Sequence, residues 1–111
     1  MDRAWGAGAP ASARAVGRAR LLQTPPDVTY GDYVACAAFD VTPRLGDIRA
    51  PALVIGAPGD QLTPFRLSAA LAARLPDAEL VAISDAGHML TLEQPEAIAA
   101  HVARFLSRLS A

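Results

Sequence analysis

The chain has 111 residues, 52% of them hydrophobic, and a formal net charge of −1. This composition excludes a disordered chain and predicts at most one small folded domain. The charge gives no electrostatic reason to expect nucleic acid as a partner, and no apolar run approaches the roughly 20 residues of a membrane-spanning helix. The single cysteine, Cys36, excludes an internal disulfide, predicts a reducing cytoplasmic setting and is interpreted as a small buried hydrophobe.

The N-terminal part of the chain is predicted to be helical. Residues 1–10 are rich in Gly, Ala and Pro and are expected to be irregular. A helix is predicted over Ala11–Gln23, ended by the prolines of residues 24–27 and held by three apolar contacts, Val16, Leu21 and Leu22. A second short helix is predicted over residues 30–39, and a connector over 40–50. The arginines among the first twenty residues fit either a solvated basic helix face or an organelle transit peptide.

From Pro51 onward the pattern predicts strand, helix, strand and helix. Ala52–Ile55 and Glu79–Ile83 are short apolar runs typical of buried strands. The intervening helix is predicted to start with Thr63 as its N-cap and Pro64 in the first turn, and to end near residue 75. Gln94-Pro95 opens a last helix with one apolar face, formed by Ile98, Val102, Phe105, Leu106 and Leu109. Strands that alternate with helices predict an α/β fold with a parallel sheet.

Two residues follow these strands in positions suited to catalysis. Asp60 comes shortly after the first strand and His88 shortly after the second. Since the carboxyl ends of parallel strands lie at one edge of a sheet, the two side chains are expected to meet. A carboxylate that hydrogen-bonds one imidazole nitrogen fixes the tautomer and stabilises the protonated ring. Gly87 is expected to allow the tight turn and the close approach that the loop before the histidine needs.

Each of these residues also has a structural interpretation. Asp60 alone fits a turn or a helix N-terminus, and a single Gly-His after a strand is more often structural than catalytic. Asp85 is a rival partner for His88 but lies in the same loop, where it is expected to shape the turn. His101 lies within the last predicted helix and is expected on its surface. The pairing of two strand-end positions favours Asp60 and His88.

The same residues carry a resemblance to a known family. The stretches Gly59-Asp60-Gln-Leu-Thr-Pro64, Ala86-Gly-His-Met-Leu90 and Leu92-Glu-Gln-Pro-Glu96 together resemble the C-terminal part of the α/β-hydrolase superfamily. The resemblance implies that residues 46–111 form the C-terminal portion of a hydrolase core, with two parallel strands and flanking helices. Residues 1–45 then form a helical segment similar to the end of a cap region. It also implies that Asp60 is the triad acid and His88 the triad histidine.

The third triad member is not found in the sequence. The family places its nucleophile on a Gly-x-Ser-x-Gly turn upstream of the acid. No serine of the chain has glycine two positions away on both sides; the serines are Ser12, Ser68, Ser84, Ser107 and Ser110. The oxyanion loop is not recognisable either. We therefore expect a C-terminal fragment of the fold, marginally stable, oligomeric or prone to aggregation.

The resemblance implies hydrolysis of an ester or a related acyl or C–C bond in a small molecule, with no cofactor and no metal. Without a nucleophile the chain alone is expected to be inactive. Two alternatives remain: a non-catalytic module that docks through an exposed sheet edge, by binding a partner or by self-association, and one half of a split hydrolase completed by an N-terminal half. No interaction with nucleic acid or a membrane is expected.

Overall fold

Two parallel strands form the centre of the structure, a computed structural model that describes residues 2–110. β1 (Ala52–Gly56) pairs with β2 (Ala78–Ala82), with Ala52 opposite Ala78 and Gly56 opposite Ala82. The ladder continues one residue further, because the Ile83 N–H donates to the Gly56 carbonyl at 2.9 Å. Both strands start within one residue of their predicted positions, which confirms the α/β fold class.

Helices precede, connect and follow the strands. The five α-helices of the described residues are α1 (Ala11–Gln23), α2 (Pro26–Ala38), α3 (Phe65–Arg74), α4 (Leu90–Glu93) and α5 (Pro95–Leu109). Short 3₁₀ helices cover Asp2–Ala4 and Thr42–Asp47. The second of these lies inside the predicted connector, where Asp40 Oδ1 accepts the Thr42 N–H at 2.9 Å and so starts the turn.

The crossover helix α3 packs directly on the strands. A methyl group on Gly56 would lie 2.7 Å from Ser68 Oγ and 2.9 Å from the Phe65 ring, so only glycine permits this approach. Ala57, Ile83 and Ala86 form a buried cluster at the carboxyl end of the sheet, where the strands run into their loops. Five partly buried side chains pack against this cluster, namely Ile55, Val81, Leu90, Ala97 and Ile98. The core therefore supports the two loops that were predicted to carry the site.

The N-terminal helices differ from their prediction in extent and in burial. The second helix begins at Pro26 rather than at residue 30, because proline at the first helical position lacks only an N–H that would be unpaired anyway. The prolines that end α1 thus also start α2. The interpretation of Cys36 as buried was wrong, since α2 buries none of its residues and Cys36 is exposed. The predicted apolar contacts of α1 are also exposed, by 49% at Val16 and 71% at Leu22.

The start of the chain is better ordered than its composition suggests. Met1 lies outside the described residues; after the 3₁₀ turn Asp2–Ala4, residues 5–10 form no helix or strand, as expected, yet Trp5 is only 7% exposed. The Trp5 ring lies against Gly17 of α1, where a methyl group would come within 2.6 Å of the ring. The Arg14 guanidinium lies 5.8 Å from the centre of the same ring and donates to the Gly6 carbonyl at 3.1 Å. These contacts fix residues 3–9, called here the N-terminal segment.

Candidate active site

The loop after β1 fixes Asp60 through its own backbone. The Asp60 N–H donates to the Ala57 carbonyl at 3.1 Å, which closes a turn. Asp60 Oδ1 accepts the N–H groups of Leu62 at 2.8 Å and of Thr63 at 2.9 Å. The side chain is 8% exposed, so the carboxylate is largely shielded from solvent, and its second oxygen is left for another partner.

The loop after β2 brings His88 to the same edge of the sheet. The turn is made by Asp85, whose φ of 56° lies in the left-handed region. Gly87 has no positive φ, so its predicted role in the turn was wrong. Its predicted role in close approach is confirmed, because a methyl group there would lie 2.4 Å from the backbone nitrogen of Gly6 and 2.6 Å from the carbonyl carbon of Trp5. Asp85 thus shapes the turn, as predicted.

The two predicted residues meet in the structure. His88 Nδ1 lies 2.9 Å from Asp60 Oδ2. Because an ionised carboxylate only accepts hydrogen bonds, Nδ1 carries the proton of this contact, and Nε2 of a neutral ring then has a free lone pair. The His88 side chain is 37% exposed, in contrast to Asp60. This is the arrangement of a buried acid that orients an accessible base.

Thr63 joins the pair in a way that the sequence did not reveal. Its hydroxyl lies 2.9 Å from Asp60 Oδ2 and 3.1 Å from His88 Nδ1. The hydroxyl therefore donates to the carboxylate, and its oxygen is a second acceptor for the Nδ1–H. The predicted N-cap role was wrong, because α3 begins at Phe65 after Pro64 and has no side-chain cap bond. The spacing of three residues from Asp60 is the only signal for this contact in the sequence.

The hydrogen bonds around Asp60 favour its ionised form. Burial of the carboxyl acts to raise its pKa, but the bonds from the Thr63 N–H, the His88 ring, the Thr63 hydroxyl and the Leu62 N–H lower it further than burial raises it. The pKa of Asp60 consequently lies below its usual 3.8. The acid is therefore ionised at neutral pH and available to stabilise a protonated His88.

This shift predicts a dependence of stability on pH. Since the folded-state pKa of Asp60 is lowered, the stabilisation that it provides is present above pH 3.8 and is lost as the pH falls through the folded-state value. In urea unfolding measured across this range, the free energy of unfolding should fall less as the pH is lowered in an Asp60→Asn variant than in the wild type. The pKa of Asp40 is also lowered, by its bonds to Thr42, so part of the pH dependence of stability should remain in Asp60→Asn. Parallel curves for the wild type and Asp60→Asn would contradict the assignment.

His88 opens onto a cleft of about 440 Å³. The cleft lies between the N-terminal segment, the first two helices and the loops that carry Asp60 and His88; its lining residues are Arg3, Ala4, Trp5, Gly17, Leu21, Tyr33, Leu62, His88 and Met89. Most of this lining is apolar, and it contains neither serine nor cysteine. The cleft is thus suited to the apolar body of a small molecule placed against the imidazole.

The remaining candidates from the sequence lie elsewhere. Ser68 packs under Gly56, and Ser107 donates to the Ala103 carbonyl within α5. His101 lies on α5, where the Arg104 guanidinium donates to its Nδ1.

In the part of the chain that the structure describes, no group of three or more His, Cys, Asp or Glu side chains is placed to hold a metal ion. No helix among those residues is long and apolar enough to span a bilayer.

Comparison with known proteins relates this geometry to a family. The family model for TAP-like proteins, Abhydrolase_4, matches residues 26–111. RutD of Caulobacter sp. (strain K31), assigned as a carbamate hydrolase, is 42% identical over 82 residues, which are 74% of this chain and 31% of RutD. BpoC of Mycobacterium tuberculosis (strain H37Rv), assigned as a non-heme bromoperoxidase, is 31% identical over 119 aligned positions, which cover 85% of this chain and 45% of BpoC. The chain thus spans less than half the length of either relative.

Solved structures agree with the sequence matches. The crystal structure of BpoC superposes with a TM-score of 0.64 at 29% identity and covers 94% of this chain and 48% of that one. The serine hydrolase CarC, involved in carbazole degradation, gives a TM-score of 0.76 over 94% of this chain and 43% of its own, and at 21% identity it shows the shared fold alone. The chain therefore belongs to the α/β-hydrolase superfamily, and within it to the family of TAP-like proteins.

Proposed function

We propose that the chain supplies the acid–base pair of a hydrolase that cleaves an ester or a related acyl or C–C bond. The observation that carries this proposal is the 2.9 Å contact between His88 Nδ1 and Asp60 Oδ2, with the same imidazole lining the cleft. A buried acid, an accessible imidazole and an apolar cleft are the parts that acyl hydrolysis requires beside its nucleophile.

Each residue has a defined role in this proposal. His88 Nε2 accepts the proton of the attacking hydroxyl as a general base and then gives it to the leaving group as a general acid. Asp60 does not take the proton; it holds the Nδ1–H tautomer and stabilises the imidazolium. Thr63, through its bonds to both side chains, limits rotation of the carboxylate and the ring.

We further propose that the nucleophile lies outside these 111 residues and that the chain assayed alone is inactive. Two observations support this: the sequence has no Gly-x-Ser-x-Gly motif, and the residues that line the cleft include no serine or cysteine. With p-nitrophenyl acetate, the chain should give no more turnover than its His88→Ala variant. Clear His88-dependent turnover by the chain alone would disprove the inactivity.

A chimera tests whether Asp60 and His88 can act once a nucleophile is supplied, or whether the pair itself is inactive. In such a fusion, the 82 matched residues of this chain replace the matched 31% of Caulobacter RutD, so that the rest of the relative is present. If Asp60 and His88 are a competent acid–base pair, the folded chimera should hydrolyse small esters or carbamates. A folded chimera without any hydrolysis would contradict the proposal.

A non-catalytic docking module is the second candidate. Within the described residues, β1 and β2 pair only with each other, and Leu80 of β2 is 40% exposed. Open sheet edges and exposed apolar side chains are features through which a chain binds a partner or a second copy of itself. Sedimentation velocity over a range of concentrations tests self-association, for which Leu80→Lys should reduce the assembled fraction.

The free, exposed Cys36 supports the proposal of a reducing, cytoplasmic setting.

A further inference from the structure

A buried carboxylate connects the histidine loop to the N-terminal segment. Glu93, at the end of α4, is only 6% exposed. Its Oε1 accepts the Gly87 N–H at 3.0 Å and its Oε2 accepts the Gly6 N–H at 2.9 Å. Each oxygen therefore holds a different part of the chain, and together these bonds offset the cost of burying a charged group.

Both segments held by Glu93 contribute to the site. Gly87 immediately precedes His88, whereas Gly6 follows Ala4 and Trp5, which line the cleft. A second bond joins the same two segments, because the Met89 N–H donates to the Ala4 carbonyl at 3.0 Å. The backbones are in such close contact that neither Gly6 nor Gly87 has room for a methyl group. The cleft wall and the backbone around His88 therefore both depend on the contact between the N-terminal segment and the loop that carries His88.

We propose that Glu93 is a positioning residue that couples the orientation of His88 to the docking of the N-terminal segment. This proposal rests on the proposed function, since it matters for catalysis only if His88 is the base. When the segment is docked, Glu93 holds Gly87 so that the ring reaches Asp60. When the segment is released, the carboxylate loses one donor, and the loop that carries His88 loses its support against Trp5 and Gly6.

The chemistry of the contact identifies the most informative substitution. Both partners of Glu93 are N–H donors, so both side-chain atoms that face them must be acceptors. In Glu93→Gln one of these atoms becomes an NH₂ donor, which cannot pair with a backbone N–H. Either Gly6 or Gly87 then loses its buried partner, although the shape of the side chain is nearly unchanged. Glu96→Gln, an exposed change in the first turn of α5, is the matched control.

Two spectroscopic signals of the full chain report on the two segments that Glu93 joins. Trp5 is the only tryptophan, so its emission and its quenching by acrylamide report the docking of the N-terminal segment. Long-range ¹H–¹⁵N NMR reports whether His88 keeps its Nδ1–H. We expect Glu93→Gln to shift Trp5 emission to the red, to increase quenching and to cause loss of the Nδ1–H population, while Glu96→Gln changes none of these. The far-UV circular dichroism spectrum of Glu93→Gln should match that of the wild type.

A second pair of variants changes the N-terminal segment instead of Glu93. Gly6→Ala places a methyl group 2.7 Å from Glu93 Oε2, whereas a methyl group at Gly8 meets nothing within 4 Å. Gly6→Ala should therefore reproduce both changes, and Gly8→Ala neither. Release of Trp5 without any change at His88 would overturn the proposal, as would no change in either signal. If both Glu93→Gln and Gly6→Ala fail to fold, Glu93 is a folding residue and positioning is also overturned. A wild-type chain without the Nδ1–H tautomer would instead contradict the proposed function itself.

Discussion

Replacing Asp60 by asparagine in the RutD chimera should lower kcat by about 10⁴-fold, with little change in KM. Asparagine keeps the size of the side chain, but its NH₂ group can face Nδ1 and so favours the wrong imidazole tautomer. His88→Ala should lower kcat at least as far, because it removes the proton acceptor itself. The comparison is made by steady-state hydrolysis of the same ester by all variants.

His101→Ala is the control for the activity measurement. His101 lies on α5 with Arg104 as its neighbour, and it is absent from the lining of the cleft. It should leave kcat close to that of the parent chimera. An Asp60→Asn variant that retains most of the activity would show that the carboxylate does not orient the catalytic base.

Gly87→Ala should be the most damaging small substitution for folding. The added methyl group would lie 2.4 Å from the Gly6 nitrogen and 2.6 Å from the Trp5 carbonyl carbon, and both are backbone atoms that cannot rotate away. We expect the free energy of unfolding in urea to fall by about 1–3 kcal/mol, the range for overpacking. Trp5 should become more accessible to acrylamide as the N-terminal segment separates from the loop.

Gly31→Ala provides the matched change for the stability measurement. Gly31 lies within α2, and a methyl group there meets nothing within 4 Å. Because alanine has a higher helix propensity than glycine, this variant should be as stable as the wild type or more stable by up to about 1 kcal/mol. Equal stability of Gly87→Ala and the wild type would show that the loop and the N-terminal segment are not in close contact.

The meeting of Asp60 and His88 was predictable because local patterns determine their placement. Short apolar runs marked the strands, and the positions of Asp60 and His88 after those runs placed both residues at one sheet edge. The contacts of Thr63 were not predictable, because the helix-cap pattern that it matches is also compatible with a bond to the preceding aspartate. The tight turn was expected of both Gly87 and Asp85, and the residue that adopts the left-handed conformation is Asp85, with φ of 56°.

The N-terminal contacts depend on long-range packing that leaves no periodic signal. Trp5 and Glu93 are separated by most of the chain, and their segments meet only through the fold. Cys36 illustrates the opposite error: its composition and neighbours predict burial, but no other element covers α2 within the described residues. Burial could be predicted where the strand pattern required a core, and could not be where it depends on which elements pack together.

The tautomer of His88 tests the proposed acid–base pair most directly. In long-range ¹H–¹⁵N spectra of the whole chain at neutral pH, His88 should carry its proton on Nδ1, because Asp60 accepts it. His101 is an internal reference, since its Nδ1 accepts from Arg104 and its proton should therefore lie on Nε2. Asp60→Asn should abolish the Nδ1–H signal of His88 and leave the Nε2–H signal of His101 unchanged. A His88 ring with its proton on Nε2 in the wild type, unaffected by Asp60→Asn, would contradict the acid–base pair.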